Sequence, residues 1–261
     1  MKIAVVIIHF GKLETTKNCL KQLSKKIGDH QVIVINNTPD DCKVLTAIIP
    51  RTKYIDSGSN VGFAKAVNAG IKLALKDKNI SHVLLMNNDL AISFGSLNQL
   101  LQTYNRYGQA GIVAPVLHHA GGFDWGGKYN RWSGMVKHKN WGNKPKTIQT
   151  VDHVAGAAML ISRTLFDKIE LFDERFFLYF EDIDFCIRAR QASFTLHINP
   201  DVVAEHLVSA GSNPGERTAY QWKSHFQFVT KHLFKYAFPT AYIYDALIYP
   251  IWVLKEEIND K

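Results

Sequence analysis

The stretch His82-Val83-Leu84-Leu85-Met86-Asn87-Asn88-Asp89 constrains the fold more than any other part of the chain. Val83 to Met86 are apolar without alternation. That pattern fits a strand covered on both faces in the middle of a parallel sheet; periodicity alone also allows a short buried helix turn. Two amides and a carboxylate follow at once. Open α/β sheets bind their ligands outside the carboxyl ends of their strands. Asp89 is therefore a candidate anchor for a metal and a diphosphate, the alternative being that Asn-Asn-Asp merely turns the chain.

The flanking segments alternate as a parallel sheet requires. Ile3 to Ile8 is a continuous apolar run ended by His9-Phe10-Gly11. Leu13, Thr16, Leu20, Leu23 and Ile27 then recur at helical spacing. Gln31 to Ile35 reads as a second strand, running into the turn Asn36-Asn37-Thr38-Pro39. A helix near Asp41 to Ile49 and a short strand from Lys53 to Asp56 follow. Strand–helix–strand repetition is the mark of a parallel sheet wound right-handedly.

Gly58 to Gly70 is a glycine-rich turn entering a helix, with Asn60 as N-cap and Phe63, Val67, Ile71 and Leu75 on one face. Such a turn can offer free N–H groups to phosphate, or simply start a tightly packed helix. It has no P-loop spacing, and no Gly-x-Gly-x-x-Gly follows the first strand, so a nicotinamide cofactor is poorly supported. Leu97, Leu100, Leu101 and Tyr104 mark another helix, and Gly111 to Val116 another strand. From His118 to Thr150 the period is lost, and Trp125, Trp132 and Trp141 are spread through glycines, asparagines and lysines. Either these aromatics line a pocket whose faces suit sugar rings, or they cover a sheet edge as a hairpin. Small residues around Gly156 lead into a strand, and Ser162 can cap a helix from Arg163 to Ile169. After an aromatic wall ending at Phe180, Glu181 to Arg190 reads as a helix with Glu181 and Asp182 at its start. The dipole favours carboxylates there, either as a fixed general base or as plain helix-start charge. Asp184 and Arg188 form an i, i+4 pair. Phe194 to Ile198 is a strand, Pro200-Asp201 a turn, and Val202 to His206 a further short strand.

At 261 residues with 46 % apolar content, the chain suits one large domain, residues 1–215, and a helical, aromatic-rich extension, 216–261. The net charge of +8 suits a phosphate-rich ligand or an anionic membrane face. Its lysines and arginines are dispersed, which argues against nucleic acid. Cys19, Cys42 and Cys186 are odd in number and form no Cys-x-x-Cys, so a reduced, cytoplasmic setting without disulfides or zinc is expected. The N-terminal run reads as a strand, not a signal peptide. Tyr236 to Leu254 holds Pro239, Asp245 and Pro250, which makes a poor spanning helix. It suits a segment lying on the inner face of the plasma membrane beside Lys231, Lys235 and Lys255, or a helix packed on the domain or on the second subunit of a homodimer.

Five of these stretches, in order, resemble family-2 glycosyltransferases of the GT-A fold, most of all the rhamnosyltransferase- and galactofuranosyltransferase-like members. They are the first strand to His9, Ile33 to Thr38, Asn60 to Asn68, Leu84 to Asp89, and Phe176 to Arg190 with its Glu-Asp-x-Asp. The likeness covers roughly the first four-fifths of the chain. It implies a Rossmann-like, mostly parallel α/β sheet flanked by helices. It also implies an inverting, metal-dependent transfer of a sugar from a dTDP- or UDP-linked donor to a glycan or lipid-linked acceptor. On that likeness, Ile8, His9, Asn36, Asn60, Lys65, Asn87 and Asn88 hold the donor nucleotide. Asp89 and His206 hold Mn²⁺ or Mg²⁺, and Asp182, with Glu181 as second candidate, is the base. Trp125, Trp132 and Gly156 face the sugar or acceptor. The family usually has aspartate where Asn36 stands; the Asn36 amide oxygen can still accept from a pyrimidine N–H. Rival readings are a catalytically silent domain of the same fold that binds a nucleotide sugar or a membrane partner, and a sugar-nucleotide pyrophosphorylase. The second lacks a triphosphate loop near the first strand.

Overall fold

The computed structural model describes residues 1–24, 27–92, 94–120, 122–130, 136–138, 143–206 and 214–233. Strands β1 (Lys2–His9), β2 (Gln31–Asn36), β3 (Lys53–Asp56) and β4 (Ile80–Asn87) are parallel and lie in the order β4-β1-β2-β3. Helix α1 (Leu13–Ser24) follows β1, and α2 (Phe63–Leu75) follows β3. The chain then runs through β5 (Leu90–Ala91), α3 (Phe94–Arg106), β6 (Ala110–His119), β7 (Gly122–Asp124), β8 (Gly127–Tyr129), β9 (Val136–His138) and β10 (Gln149–Val151). It closes with β11 (Ala158–Ser162), α4 (Arg163–Phe166), α5 (Glu181–Gln191), β12 (Thr195–His206) and α6 (Pro214–His232). The main sheet has the order β10-β12-β6-β11-β4-β1-β2-β3, with β5 on β12 and β7 on β6. β11 is antiparallel to both β4 and β6, while β6 and β12 are parallel. The fold is thus a mostly parallel sheet with helices on both faces.

The unbroken apolar runs follow from this layering. Ala4, Val6 and Ile8 of β1 face a core shared with Val67 and Ile71 of α2 and Phe185 of α5. Ile3, Val5 and Ile7 face the opposite core, with Leu20 and Leu23 of α1 and Leu100 of α3. Both faces are covered, so neither can be polar; each fully buried aliphatic side chain contributes about 1.5–3 kcal/mol. Gly70 lets α2 lie directly on the sheet: a Cβ there would stand 2.6 Å from Val6 Cγ1 and 2.7 Å from Ile35 Cδ1.

Three local expectations change. The helix expected at 41–49 is a 3₁₀ turn, Lys43–Ala47, with Leu45 as its one buried residue. Helix α4 ends at Phe166, though Ser162 caps it by accepting from the Leu165 amide. The two strands expected at 194–206 are the single strand β12, whose register against β6 shifts between Asn199 and Val203. A bulge, not a turn, absorbs Pro200 and Asp201. Trp132 and Trp141 lie outside the described residues, as does the stretch from Tyr236 to Leu254. Among the described residues, no helix is long and apolar enough to cross a membrane.

Candidate active site

β1, β2, β3 and β4 end side by side at His9, Asn36, Asp56 and Asn87, so one edge of the sheet collects polar residues. Several of them are occupied with building that edge. Ile8 is buried, and the His9 ring is 1 % exposed with Nδ1 2.6 Å from Thr16 Oγ1. Thr16 Oγ1 also accepts from Asn88 Nδ2 at 2.7 Å, so one hydroxyl bridges the His9 ring and the Asn88 amide. Burial lowers the His9 pKa against the raising effect of Asp40. Asn88 Nδ2 donates as well to the Phe10 carbonyl, at 2.9 Å. His9 and Asn88 therefore lock the exits of β1 and β4 to α1, and their side chains are turned inward, not toward a ligand. Thr16, the centre of this lock, looked from the sequence like one more residue of a helix face.

Asn36 is likewise engaged within the protein. It is 0 % exposed, and Oδ1 already accepts from the Thr38 amide and hydroxyl. Nδ2 donates to the Asp40 carbonyl at 2.7 Å and to Asp56 Oδ1 at 3.1 Å. With its oxygen so engaged, Asn36 shapes the loop after β2 and offers no open acceptor to a base. The neighbouring amide, Asn37, pairs with Asn60: Asn37 Nδ2 donates to Asn60 Oδ1, and Asn37 Oδ1 accepts from the Val61 amide.

Asn60 does not cap α2. Its Oδ1 accepts from Gly62 N, and Gly62 itself is the N-cap, with φ 85° and ψ 165°. That backbone region is open essentially to glycine alone. A Cβ on Gly62 would stand 2.6 Å from the Phe177 carbonyl oxygen, which accepts from Phe63 N at 2.7 Å. The start of α2 is thus stitched to the segment before α5. Asn68 adds two more stitches, donating to the Phe172 carbonyl and accepting from the Phe172 amide. Lys65 is exposed on the first turn of α2.

Asp89 follows β4 directly and lies 3.3 Å from His206 Nε2 through Oδ1. The pairing of β5 with β12, His206 opposite Leu90, sets this distance. Asp89 Oδ1 is buried and makes no hydrogen bond. Ligands at adjacent corners of a six-coordinate Mg²⁺ or Mn²⁺ are about 3 Å apart, so the pair fits two positions of such a shell. Among the described residues, no group of three or more His, Cys, Asp or Glu side chains could hold a metal, so the remaining positions would fall to water and ligand oxygens.

Helix α5 carries the carboxylates. Tyr179 and Phe180 just before it are both left-handed, with φ 71° and 67°. Strain of this kind persists only where surroundings enforce it. Here α6 does so: Ser224 Oγ donates to the Leu178 carbonyl at 2.7 Å, Tyr220 stacks on Phe177, and Phe228 packs on Phe180. Asp182 Oδ2 accepts from the Gly156 amide and Oδ1 from the Ile183 amide, both at 2.8 Å. Gly156 therefore positions this carboxylate; a Cβ on it would come within 3.2 Å of Asp182 Cβ. Glu181 is 5 % exposed, and its Oε2 has no hydrogen bond. Burial, reinforced by the charge of Asp182, pushes its carboxyl well above the usual range. Both effects favour the neutral form of this carboxyl. Asp184 is fully buried with Arg188, Lys231 and His232 at 2.9, 2.6 and 2.7 Å. Burial alone would raise its pKa, but the His232 hydrogen bond and the charges of Arg188 and Lys231 hold it below the usual range.

Two backbone hydrogen bonds connect the carboxylates. Asn87 N, two residues before Asp89, donates to the Ala157 carbonyl at 2.8 Å, and Gly156 N donates to Asp182. Trp125 is half-buried and packs against the core on the α2 face. Trp132 lies outside the described residues.

A mostly parallel sheet of this order, with an acid after β4 and a second at the start of α5, defines a domain of the GT-A fold. The family model "Glycosyl transferase family 2" matches residues 4–170, and the chain belongs to that family. It is 28 % identical, over 200 residues, to a low-salt glycan biosynthesis hexosyltransferase of Haloferax volcanii, covering 74 % of this chain and 63 % of that one. It is 26 % identical, over 206 residues, to the N-acetylglucosaminyl-diphospho-decaprenol L-rhamnosyltransferase of Mycobacterium tuberculosis, covering 69 % and 67 %. Rhamnosyltransferase WbbL of Escherichia coli is 25 % identical over 250 residues, covering 87 % and 92 %. Among solved structures, GalNAc-T7 with UDP, GalNAc and Mn²⁺ superposes with a TM-score of 0.68 at 15 % identity, covering 88 % of this chain and 48 % of that one. The chain thus spans less than two thirds of the archaeal relative and about half of GalNAc-T7.

Proposed function

We propose that the protein is an inverting glycosyltransferase. It moves a rhamnose-like or galactofuranose-like sugar from a dTDP- or UDP-linked donor to a hydroxyl of a cell-surface glycan or its lipid-linked precursor. The observation that carries this reading is the hydrogen-bonded path from Asn87 through Ala157 and Gly156 to Asp182. It fixes an ionisable acid beside the end of β4, where Asp89 and His206 form a metal-compatible pair. Asp89 and His206 would hold Mn²⁺ or Mg²⁺. When bound, the ion stabilises the charge that grows on a departing diphosphate.

The protein's own groups supply the rest. Asp182 takes the proton of the acceptor hydroxyl as that oxygen attacks the anomeric carbon from the face opposite the leaving diphosphate, inverting the centre. Two backbone amides hold the Asp182 oxygens. Asn60, Lys65 and Asn87 remain candidates to contact the donor, and Trp125 and Trp132 the sugar or acceptor. The rhamnosyltransferase relatives support a deoxyhexose and a lipid-linked acceptor. The net charge of +8 and the C-terminal stretch fit work at the inner face of the plasma membrane from the cytoplasm. On this reading residues 1–215 form the transferase domain and 216–261 an extension; α6, which straddles that boundary, braces the loop before α5.

Thermal shift with UDP- and dTDP-sugars and Mn²⁺, followed by donor hydrolysis, tests the proposal. Mn²⁺-dependent stabilisation and nucleotide release, both lost in Asp89→Ala, are expected. Full Mn²⁺-dependent affinity in that variant would remove the metal assignment. Donor binding without any hydrolysis or transfer would leave a silent binding domain instead.

A further inference from the structure

The edge that should hold the donor's base has an unexpected arrangement. Asn36, at the end of β2, is fully buried and its oxygen already accepts two hydrogen bonds. Its direct neighbour across the parallel ladder is Asp56, the last residue of β3. Asp56 is exposed. Its Oδ1 accepts from Asn36 Nδ2 at 3.1 Å and from Gly58 N at 3.0 Å. These two bonds fix the carboxylate plane through one oxygen. The loop that follows is folded back on β2 by Ser57 N donating to the Asn36 carbonyl, and by the Asn37–Asn60 pair. The negative charge at this end of the sheet is therefore held in place by β2 but carried by β3.

On the reading of the chain as a nucleotide-sugar transferase, we propose that Asp56 is the residue that reads the donor's base. Its Oδ2 accepts the ring N–H of uracil or thymine, while Asn36 serves as the clamp that orients it. A carboxylate is acceptor-only. It rewards a base that presents a ring N–H and repels cytosine, which presents a lone pair at the same ring position. Asn36 could not be aspartate in this arrangement. Two carboxylates about 3 Å apart repel, and one would have to take up a proton.

The test uses the full chain with Mn²⁺ and three probes, UDP, dTDP and CDP, in calorimetric titrations. The wild type should bind UDP and dTDP more tightly than CDP. Asp56→Asn keeps Oδ1 for Asn36 and Gly58 and exchanges only the free oxygen for a donor. It should weaken UDP and dTDP by about 10- to 100-fold, the worth of a hydrogen bond to a charged acceptor, without weakening CDP. Asn36→Asp, which creates the repelling pair, should also weaken UDP. If Asp56→Asn weakens all three probes equally, the carboxylate meets the ribose and base reading is wrong. Unchanged affinities in Asp56→Asn, or tighter UDP binding by Asn36→Asp, would return base reading to position 36. If the wild type binds none of the three probes, the nucleotide-sugar reading itself falls, and this assignment with it.

Discussion

Gly62 joins the start of α2 to the loop that leads to Asp182, and Gly62→Ala should damage both. Its backbone, at φ 85° and ψ 165°, costs a residue with a side chain about 1–3 kcal/mol. The new Cβ would lie 2.6 Å from the Phe177 carbonyl oxygen and 2.8 Å from Phe177 Cδ2. Relief means moving Phe177, which breaks the Phe63 N–Phe177 O hydrogen bond, worth about 1 kcal/mol, and overpacks the contact by about 1–3 kcal/mol. The combined cost is about 3–7 kcal/mol, which at about 2–4 °C per kcal/mol lowers the melting temperature by about 6–28 °C for a domain of this size. Two other glycines separate the contributions. Gly58→Ala carries a positive φ of 68° with nothing within 4 Å, so only backbone strain of about 1–2 kcal/mol remains. Gly70→Ala meets Val6 and Ile35 side chains without a positive φ, so only overpacking remains, partly offset by about 1 kcal/mol of helix propensity. Calorimetric melting of the three variants reads stability, and sugar transfer at saturating donor reads the base. Gly62→Ala should lose the most on both measures. A melting loss no larger than that of Gly58→Ala would refute the argument that the Phe177 contact is rigid.

Asp182→Asn should keep nucleotide affinity and lose about 10²- to 10⁴-fold in transfer rate, whereas Glu181→Gln, at a buried carboxyl whose pKa is raised, should stay within about threefold of the wild type. A reversed ranking in single-turnover kinetics would make Glu181 the base. Asp184→Ala strands Arg188 and Lys231 beside a buried gap and should cost about 3–5 kcal/mol in urea unfolding. A loss under about 1 kcal/mol would mean the cluster is solvated. His82 is 3 % exposed, and burial, with a smaller effect of the N-terminal amine, lowers its pKa from 6.5 to about 4. Because the unfolded chain takes up this proton first, the stability it contributes is complete above about pH 6.5 and is lost as pH falls toward 4. The loss amounts to about 3 kcal/mol. His82→Phe should flatten that part of the pH–stability curve, and an unchanged slope between pH 6.5 and 4 would show that another group titrates there.

How much of this was legible in the sequence follows from how local each determinant is. The runs at Ile3–Ile8, Gln31–Ile35 and Val83–Met86 announced buried strands because both faces of the sheet are covered. Glu181 and Asp182 stood out because a helix start displays its charge in consecutive residues. What pattern could not show was which polar groups are already engaged. His9, Asn36 and Asn88 carry the right chemistry at the right strand ends, yet their partners Thr16, Thr38, Asp40 and Phe10 turn them inward. Gly156 appeared as a small residue near a sugar and instead holds Asp182 through its amide. The role of α6 was hidden for a related reason: Ser224 and Lys231 meet Leu178 and Asp184 across more than forty residues, and no periodicity within α6 encodes those contacts.

The place of β11 in the sheet has a consequence for how the protein comes off the ribosome. β6 reaches β4 only through β11, and His206 meets Asp89 only when β12 has paired with β5. The strands β1 to β4 can associate as soon as they emerge, but the outer edge of β4 then stays open until residues 158–162 are made. During that interval a strand that is apolar from Val83 to Met86 offers unpaired backbone groups, the arrangement most apt to recruit a strand from another chain. The Asp89–His206 pair gains its second member later still, when residue 206 is made. A nascent chain can therefore hold a folded parallel half well before it has any capacity to act, and the vulnerable moment in its synthesis lies between β6 and β11.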